Sequence, residues 1–382
     1  MNKTTKNLGL IAILTFIITI TIWLPHILAL PNFWGLNFSN GFASVYRNFD
    51  GLEYIVIAKS FYNPEIIKDF PYSLNPNYYA SHFPGYALLI ALFAPFLGYL
   101  KSMLAVSFLS TILATWAFYL LVRDFKLTAN PLLLSLIFLI LPARWLIVHS
   151  VGSSEPTFIL LLIMAVYFFM KFETSGKFSF LTLSGLFGAT SQLTRPPGIL
   201  LMTALGLYIL WRFLKKRSLS YIFSFYPLLF IPLTLLGIFY FYLLTYQDFF
   251  AYFHSGDNIH LTFPPFQVFN KDQFWVGEAW LEDIIYIFIL GFLASIMLLK
   301  QKLYVFAFFV LTYLTASTFI AHRDISRYLL PITPFVLIAF EKVLVSKEFK
   351  IILPIIALAI YLYAQNFILQ NTAPIPNLQL YN

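Results

Sequence analysis

The chain has 382 residues, of which 60% are apolar and only 10% are charged, and its formal net charge is +8. Soluble domains carry roughly 25% charged residues, so this composition excludes an ordinary soluble domain. It predicts one integral membrane module over residues 1–382, built as an all-α, polytopic helical bundle.

The basic residues stand in ones and twos between apolar runs, and the one cluster, at 212–217, adjoins a predicted span. Lysine and arginine in such places anchor helices on the cytoplasmic side. A nucleic-acid-binding surface needs a continuous basic face, so we expect no nucleic-acid partner. The absence of cysteine excludes disulfides, thiolate metal sites and a cysteine nucleophile.

A helix needs about 20 apolar residues to cross the hydrocarbon core. On this criterion the sequence predicts eleven membrane spans, near residues 8–30, 102–122, 130–148, 156–171, 178–193, 197–213, 221–245, 282–299, 303–321, 327–344 and 350–369. The apolar stretch 84–100 is interrupted by proline and glycine, and we expect it to lie at the membrane interface. That placement leaves more basic residues on the cytoplasmic side than a twelfth span would.

This topology has two long outer loops, which we treat as units of the module. Residues 31–101 form the first outer loop and are predicted to contain interfacial helices, and residues 246–281 form the second. Most of the carboxylates and all six histidines lie on the outer side or at its edge. A face that collects ionisable groups beside a bilayer is predicted to be the functional face.

The most informative segment follows the first span and contains Arg47, Asp50, Gly51, Glu53 and Tyr54. A carboxylate is costly to desolvate beside the bilayer, so one held there usually binds a ligand or takes part in chemistry. The alternative is structural. Asp50 is a good helix N-cap, and Glu53 three residues later would complete a capping box.

Two further candidates lie on the same face. His82 precedes the Pro84–Gly85 break and either joins Asp50 in a site or anchors a simple turn. Glu155 is the one carboxylate of the second predicted outer turn and stands directly before Pro156. A proline is well tolerated in the first helical turn, so a capping or dipole role explains Glu155 as well as a ligand does.

Arginines and histidines supply the candidate phosphate ligands. Arg195 stands between two helices that are broken by Pro196, Pro197 and Gly198, and it either snorkels to lipid phosphate or holds a ligand phosphate. His322, Arg323 and Arg327 crowd a later outer turn and suffice to neutralise a phosphate ester. Asp324 could equally pair with a neighbouring arginine in a surface ion pair of small effect.

No metal or other cofactor is predicted. A divalent metal ion is compatible with the sequence but is not indicated, because no two ligands stand at a recognised spacing. The nearest approach is in the second outer loop, where His254 and His260 flank Asp257. We count both histidines among the candidate substrate-binding residues.

These motifs, in this order, resemble the GT-C superfamily of membrane glycosyltransferases. The likeness is to the mannosyltransferase branch that includes the second mannosyltransferase of GPI-anchor synthesis and its bacterial relatives. The resemblance covers most of the chain from Tyr46 to Pro334. It rests on Phe49-Asp50-Gly51-x-x-Tyr54, His82-Phe83-Pro84-Gly85-Tyr86, Ser153-Ser154-Glu155-Pro156, Leu193-Thr194-Arg195-Pro196-Pro197-Gly198 and Arg327-Tyr328-Leu329-Leu330-Pro331. Phe49 stands where the branch has tryptophan, and Ala87 where it has a second proline.

The resemblance implies an inverting glycosyltransferase. A sugar, mannose by the same likeness, would pass from a polyprenyl or dolichyl phosphate to a hydroxyl of a glycan, lipid or protein on the extracytoplasmic side. Asp50 would be the general base, with Glu53 as a second catalytic candidate. Arg195, Arg323 and Arg327 would bind the donor phosphate. The remaining substrate-binding candidates are Arg47, Tyr54, His82, Glu155, His254, His260 and His322.

Three other functions stay open on the sequence alone. A transporter would be expected to carry ionisable groups in mid-membrane and an inverted repeat, neither of which we detect. A lipid-linked polysaccharide polymerase or ligase also uses outer arginines, and a membrane scaffold needs no site. The abundance of Lys, Asn, Ile and Phe suggests a microbial source, which predicts a multi-pass protein of the plasma membrane.

Overall fold

The structure is a computed structural model of the whole chain, and it describes residues 2–71, 73–216, 223–256, 261–279, 281–375 and 377–382. The side chain of residue 216 lies outside this description. The fold is all-α, as predicted. Strand pairing in the described ranges is confined to isolated bridges, such as Asn48 with Thr372.

The longer helices follow one another along the chain. They are α1 (Lys3–Ile27), α2 (Gly51–Ser60), α3 (Gly85–Leu97), α4 (Tyr99–Asp124), α5 (Pro131–Phe138), α6 (Ala143–Ser150), α7 (Glu155–Ser175), α8 (Phe178–Thr194), α9 (Ile199–Lys216), α10 (Phe230–Tyr246), α11 (Glu282–Lys300), α12 (Tyr304–Thr318), α13 (Thr333–Ala339) and α14 (Lys347–Gln370). The longest connections between them are those after α1, α2 and α10.

Short helices and 3-10 turns fill the connections. The short α-helices are Ala43–Tyr46, Pro64–Lys68, Ala251–His254, Ile325–Tyr328 and Glu341–Leu344. The 3-10 turns are Pro76–Ser81, Pro196–Gly198, Tyr226–Leu229, Gln267–Phe269, Leu330–Ile332 and Leu378–Tyr381.

Helix ends coincide with capping residues. Asn2 accepts a hydrogen bond from the Thr5 amide at the start of α1, and Ser346 does the same for the Phe349 amide at the start of α14. A side-chain oxygen at this position satisfies an otherwise unpaired amide of the first turn. At the other end of α7, Gly176 has a φ of +68°, the left-handed conformation that glycine adopts without a steric penalty.

The chain is a multi-pass membrane protein. In the described part, seven helices are long and apolar enough to cross a membrane, or eight if α5 and α6 form one span. Many large apolar side chains on these helices face outward, among them Leu214, Leu233, Leu244 and Ile355. Apolar exposure on this scale is expected of a surface that meets lipid. The exact number of eleven spans stays a prediction.

Two predicted spans have a different form in the structure. The predicted straight span at 130–148 is a pair of helices, α5 and α6, bent by 71°. Pro142 lies between them and cannot continue the hydrogen-bond ladder of a helix. The predicted span at 327–344 is divided into short pieces around Pro331 and Pro334. The residues 217–222, at the start of the predicted span 221–245, lie outside the described part.

The interior holds two groups of buried apolar side chains. One lies between α4, α5, α7, α9, α11 and α12 and includes Phe118 and Phe158. The other lies between α2, α3, α4 and α10 and includes Tyr86 and Tyr242. Phe49 packs against both groups, so the segment just before α2 is fixed by contacts on two sides.

Helix α2 is buried almost all round. Leu52, Ile55 and Val56 are buried, and so are Ile57 and Ala58. The helix therefore packs within the protein and provides a rigid support for the residue that precedes it, Asp50. The interfacial position of α3 stays a prediction.

Candidate functional site

Four charged residues from distant parts of the chain meet at one end of the bundle. Asp50 precedes α2, Glu155 opens α7, Arg195 separates α8 from the turn before α9, and Arg327 lies in the short helix Ile325–Tyr328. Ion pairs join them in the order Asp50–Arg327–Glu155–Arg195. We call this set the charged cluster.

Asp50 points into the charged cluster and does not cap its helix. It occupies the N-cap position of α2 but makes no capping hydrogen bond with its side chain. Its Oδ2 accepts instead from Nη2 of Arg327 over 2.9 Å and lies 4.0 Å from Nε2 of His82. Burial by itself would raise the pKa of Asp50, but Arg327 and then His82 outweigh it and lower the pKa to about 2. The carboxylate is therefore ionised at neutral pH.

Glu155 joins the two arginines of the cluster. Its Oε1 accepts a hydrogen bond from Nε of Arg327 over 2.5 Å and forms an ion pair with Nη1 of Arg195 at 2.6 Å. Its side chain is 2% exposed. A buried carboxylate with a single cationic partner is poorly compensated, whereas two guanidinium groups supply both charge and hydrogen bonds. Glu155 therefore fixes the spacing between Arg195 and Arg327, and helix capping alone does not account for it.

Tyr54 and Ser154 extend the cluster with neutral groups. The Tyr54 hydroxyl donates to Oγ of Ser154 over 3.1 Å, and Nη1 of Arg195 donates to the same oxygen over 2.9 Å. Burial raises the pKa of Tyr54 to about 12, so its hydroxyl stays protonated. The Tyr54 ring also meets the His82 ring edge-on at 5.2 Å.

Two glycines allow the backbone segments of the site to come together. A Cβ atom on Gly51 would lie 2.8 Å from the carbonyl oxygen of Gly152, and one on Gly85 would lie 2.9 Å from the carbonyl oxygen of Leu193. Real Cβ atoms do not approach so closely. The first contact brings Asp50 to the turn before Glu155, and the second brings the residues after His82 to the turn at Arg195.

The charged cluster forms part of the wall of a small polar cavity of about 170 Å³, the first cavity. Its lining residues are Asp50, Tyr54, Tyr78, Ser81, His82, Arg195, Pro196, Pro197, Tyr252, His322, Asp324, Arg327 and Tyr328. An apolar groove of about 470 Å³, the first groove, shares Pro196, Pro197, Tyr252 and Tyr328 with it. The rest of this groove is formed by side chains such as Leu200, Leu235 and Phe239.

A larger cavity of about 720 Å³, the second cavity, adjoins the first cavity. It shares Asp50, His322, Asp324 and Arg327 with the first cavity, so these four residues form a common wall. Arg47, Arg144 and Arg323 also line it. A second apolar groove, of about 670 Å³, shares Arg144, Leu281 and Arg323 with this cavity.

The predicted site residues divide between these places. Six of them line the first cavity: Asp50, Tyr54, His82, Arg195, His322 and Arg327. Glu155 is not part of this lining and forms ion pairs with Arg195 and Arg327. Arg47 and Arg323 line the second cavity, and Arg323 lies over the Phe274 ring at 5.6 Å.

Two predicted residues, Glu53 and His254, lie elsewhere. Glu53 lines neither cavity, and its charge acts on Tyr79 and Tyr381. The exposed His254 pairs with Asp248 over 2.6 Å, which lowers the pKa of Asp248. His260 and Asp257 lie outside the described residues.

Sequence reasoning missed Arg144, which forms an ion pair with Asp324 over 2.9 Å. Asp324 was expected to pair with Arg323 or Arg327, and Arg327 is the more distant partner at 4.0 Å. Burial raises the pKa of Asp324 despite Arg144. The available signal was that Arg144 is a charged residue inside the predicted span 130–148, where charge is costly and usually functional. Its partner came from a segment almost two hundred residues away, which no local pattern reveals.

The residues of the site do not form a metal centre. Among the described residues, no group of three His, Asp or Glu side chains is placed to hold a metal ion. The carboxylate oxygens of Asp50 and Glu155 that face the cluster are bonded to arginine.

Comparison with solved structures shows the fold. The chain superimposes on ArnT from Cupriavidus metallidurans bound to undecaprenyl phosphate with a TM-score of 0.58 at 12% identity, covering 91% of this chain and 63% of that one. The apo form of the same ArnT gives a TM-score of 0.57 at 13% identity, with the same coverage. This is a GT-C fold. The archaeal oligosaccharyltransferase AglB from Archaeoglobus fulgidus, in complex with an inhibitory peptide and a dolichol-phosphate, gives a TM-score of 0.55 at 12% identity, covering 97% of this chain and 56% of AglB.

The chain spans less than two thirds of the length of each of these GT-C structures. No protein-family model matches its sequence, and a search of curated proteins returns no match. The GT-C fold is thus shared with glycosyltransferases that bind polyprenyl phosphates. The closer kinship to the mannosyltransferase branch stays a prediction.

Proposed function

We propose that the protein is an inverting glycosyltransferase that moves a sugar from a polyprenyl phosphate to an acceptor hydroxyl, with Asp50 as the general base. The observation that carries this proposal is the placement of Asp50. It lies in the wall of a polar cavity that adjoins an apolar groove on one side and a second polar cavity on the other. The reaction needs an apolar surface for the donor lipid, a polar cavity for its phosphate and sugar, and room for an acceptor beside the base.

The donor fits the first cavity and the first groove. A prenyl tail is apolar and matches the groove lined by Leu200, Leu235 and Phe239. Its phosphate would then reach Arg195 and Arg327, whose guanidinium groups suit phosphate geometry. Because Glu155 already holds both arginines, they are positioned before the donor arrives, and little reorganisation is needed as charge develops on the leaving phosphate.

The chemical step is a single displacement. The acceptor oxygen forms a bond to the anomeric carbon while the bond from that carbon to the phosphate oxygen breaks. The electron pair of the broken bond leaves on the polyprenyl phosphate, where Arg195 and Arg327 stabilise it. The acceptor proton passes to Asp50. A carboxylate of pKa about 2 is a weak base, so the proton moves late, after the sugar has gained oxocarbenium character.

We propose further that this site is extracytoplasmic, in the plasma membrane of a microbe, and that mannose is the sugar. The sidedness rests on the positive-inside rule. Basic residues accumulate at the opposite helix ends, where Arg123 and Lys171 pair with Asp124, and Arg212 pairs with Glu173. Mannose rests on the resemblance of the motifs alone.

The test is transfer from defined donors. Purified protein would be incubated with polyprenyl-phosphate mannose or glucose, radiolabelled in the sugar, and with membrane extracts as acceptors. We expect transfer by the native protein and a loss of about 10²- to 10⁴-fold in Asp50→Asn, the usual contribution of a general base. The matched control is Asp248→Asn, because Asp248 pairs with His254 and lines neither cavity.

Two results would count against the proposal. Full turnover by Asp50→Asn would remove Asp50 as the base but leave the glycosyltransferase. Failure of the native protein to use any polyprenyl-phosphate sugar would remove the function itself.

A further inference from the structure

The second cavity and second groove form a site that the donor does not use. The inference about this site rests on the proposed function in one respect, the role of Asp50 as the base. Asp50 lies in the wall between this site and the first cavity. A group bound in the second cavity therefore lies beside the base and opposite the donor phosphate. The acceptor of the proposed reaction must also reach this base.

The charges of the second cavity favour an anion. Its lining contains four arginines, Arg47, Arg144, Arg323 and Arg327, against the two aspartates Asp50 and Asp324. Asp50 and Arg327 balance one another, and so do Asp324 and Arg144. The sum of the lining charges remains positive, and a positive cavity with low-dielectric walls concentrates anions.

Two nitrogen atoms of the Arg144 guanidinium have no hydrogen-bond partner among the described residues. Nη2 of Arg144 forms an ion pair with Asp324 at 2.9 Å, and its guanidinium lies 4.2 Å from the centre of the Phe367 ring. Its Nε and Nη1 atoms are buried and have no hydrogen-bond partner among the described residues. Buried donors without a partner are expensive. A bound phosphate would satisfy them, since arginine presents its donors in a fork that matches phosphate oxygens.

The second groove can accommodate an apolar part of a ligand. Arg144 and Arg323 stand where this groove joins the second cavity. Asp283 is the one acidic residue among the described residues of its wall, and the rest is mostly apolar, with Ile287, Leu290, Val336 and Leu337. Leu290 is half exposed on the bundle surface, so the groove is open to the lipid phase. Apolar walls that end in two arginines match an amphiphile with a negative head group.

We propose that the acceptor is a membrane lipid that carries a phosphate in its head group, close to the hydroxyl that receives the sugar. Its acyl or prenyl chain lies in the second groove, its phosphate contacts Arg144 and Arg323, and its hydroxyl reaches Asp50. The donor and the acceptor thus enter from two different grooves and meet at one carboxylate.

The test compares three probes that separate tail from charge. Phosphatidylglycerol has an acyl tail, a phosphate and free hydroxyls, diacylglycerol has only the tail and a hydroxyl, and glycerol 3-phosphate has only the phosphate and hydroxyls. Binding of each radiolabelled probe to the full-length protein in neutral detergent would be measured. We expect phosphatidylglycerol to bind at least tenfold more tightly than either of the others.

Variants then locate the binding site. Arg144→Gln is expected to weaken phosphatidylglycerol binding about tenfold, the effect of one charge-assisted hydrogen bond. Arg323→Gln tests the same point at an exposed position that does not threaten the fold. Ile287→Gln tests the groove. The controls are Lys271→Gln, an exposed basic residue, and Leu244→Gln, an exposed apolar residue outside both grooves.

Each contrary outcome is decisive. Equal binding of phosphatidylglycerol and diacylglycerol would remove the phosphate subsite, and equal binding of glycerol 3-phosphate would remove the lipid. Loss of binding in Lys271→Gln as large as in Arg144→Gln would show a nonspecific charge effect. Displacement of phosphatidylglycerol by polyprenyl phosphate would assign the second groove to the donor.

A separate measurement keeps the two proposals apart. Polyprenyl phosphate should bind the native protein and lose that binding in Arg195→Gln. If it does not, the proposed glycosyltransferase is in doubt. If it does and the three probes do not differ, only the acceptor proposal is overturned.

Discussion

The carboxylate of Asp50 accepts a hydrogen bond from Arg327, a residue 277 positions further along the chain. The same guanidinium reaches Glu155 with a second nitrogen, so one arginine fixes two acids that stand at the starts of different helices, α2 and α7. Because arginine, unlike lysine, carries rigidly spaced donors, the distance between these two carboxylates is set by the geometry of one side chain.

The first prediction concerns Glu155. Glu155→Gln leaves Arg195 and Arg327 with one fewer counter-charge in a buried place. Removing one partner of a buried ion pair typically lowers the free energy of unfolding by about 3–5 kcal/mol. We expect a clear fall in the melting temperature in detergent, with Glu278→Gln, at an exposed loop position, as the control. Unchanged melting in Glu155→Gln would mean that the two arginines do not depend on it.

The second prediction separates charge from geometry at Arg195. Its Nη1 donates to Ser154 and forms an ion pair with Glu155. The planar guanidinium has further N–H donors on its other nitrogens for a forked contact with the donor phosphate, and the single ammonium nitrogen of lysine cannot reproduce that fork. We expect Arg195→Lys to lower kcat/KM for the donor about 10-fold or more, since a charge-assisted hydrogen bond contributes roughly 1.5–3 kcal/mol. Arg212→Lys, at the opposite helix ends, should leave kcat/KM unchanged. Equal activity of Arg195→Lys and the native protein would argue against a forked contact.

The third prediction concerns Phe49, whose ring lies 4.2 Å from the Arg327 guanidinium. Tryptophan is the best aromatic partner for a cation, and desolvated cation–π contacts contribute about 2 kcal/mol. We expect Phe49→Trp to retain activity and Phe49→Leu to lose about tenfold in kcat. Steady-state kinetics of both variants gives the answer. Equal activity of the two would show that the ring is not needed to position Arg327.

The fourth prediction concerns pH. The pKa of Asp50 is lowered to about 2 in the folded protein, below the ordinary value of about 3.9. Its contribution to stability is therefore fully present above about pH 4 and is lost as the pH falls towards 2. We expect Asp50 to add no titration limb to kcat/KM between about pH 5 and 8. A limb in that range that shifts in Asp50→Glu would contradict the pKa.

The fifth prediction concerns the close backbone approach at Gly51. A Cβ there would lie 2.8 Å from both the Gly152 carbonyl oxygen and Sδ of Met103. Overpacking of this kind usually costs about 1–3 kcal/mol. We expect Gly51→Ala to lower both the melting temperature and the activity, because it pushes Asp50 away from Glu155. Gly206→Ala is the control, since nothing lies within 4 Å of its Cβ position. Alanine there should be neutral or stabilising.

Much of the fold could be predicted from composition and apolar run length. The helices α4, α7 and α14 lie close to their predicted spans because long apolar runs can bury their backbone polar groups in lipid only as helices. The break at Pro142 was missed. Proline is common in membrane helices, and its effect depends on what neighbouring helices supply to the freed carbonyls.

The site could be predicted in part. Asp50, Glu155, Arg195 and Arg327 were each recognised as charged residues at predicted helix ends, with a structural alternative beside every one. For the two acids, only the three-dimensional contacts distinguish a structural role from a role in the site. An acid before a helix can serve as an N-cap or form an ion pair, and the sequence looks the same in both cases. Arg144 and the two grooves could not be predicted, since they are formed by helices far apart in the sequence.

The wide separation of Asp50, Glu155 and Arg327 along the chain also bears on biogenesis. During synthesis the two carboxylates emerge from the ribosome long before the arginine that joins them. Until the segment with Arg327 enters the membrane, Asp50 lacks its ion pair. Assembly of the charged cluster is consequently a late event, and nascent chains halted before residue 327 should be preferred targets of membrane quality control.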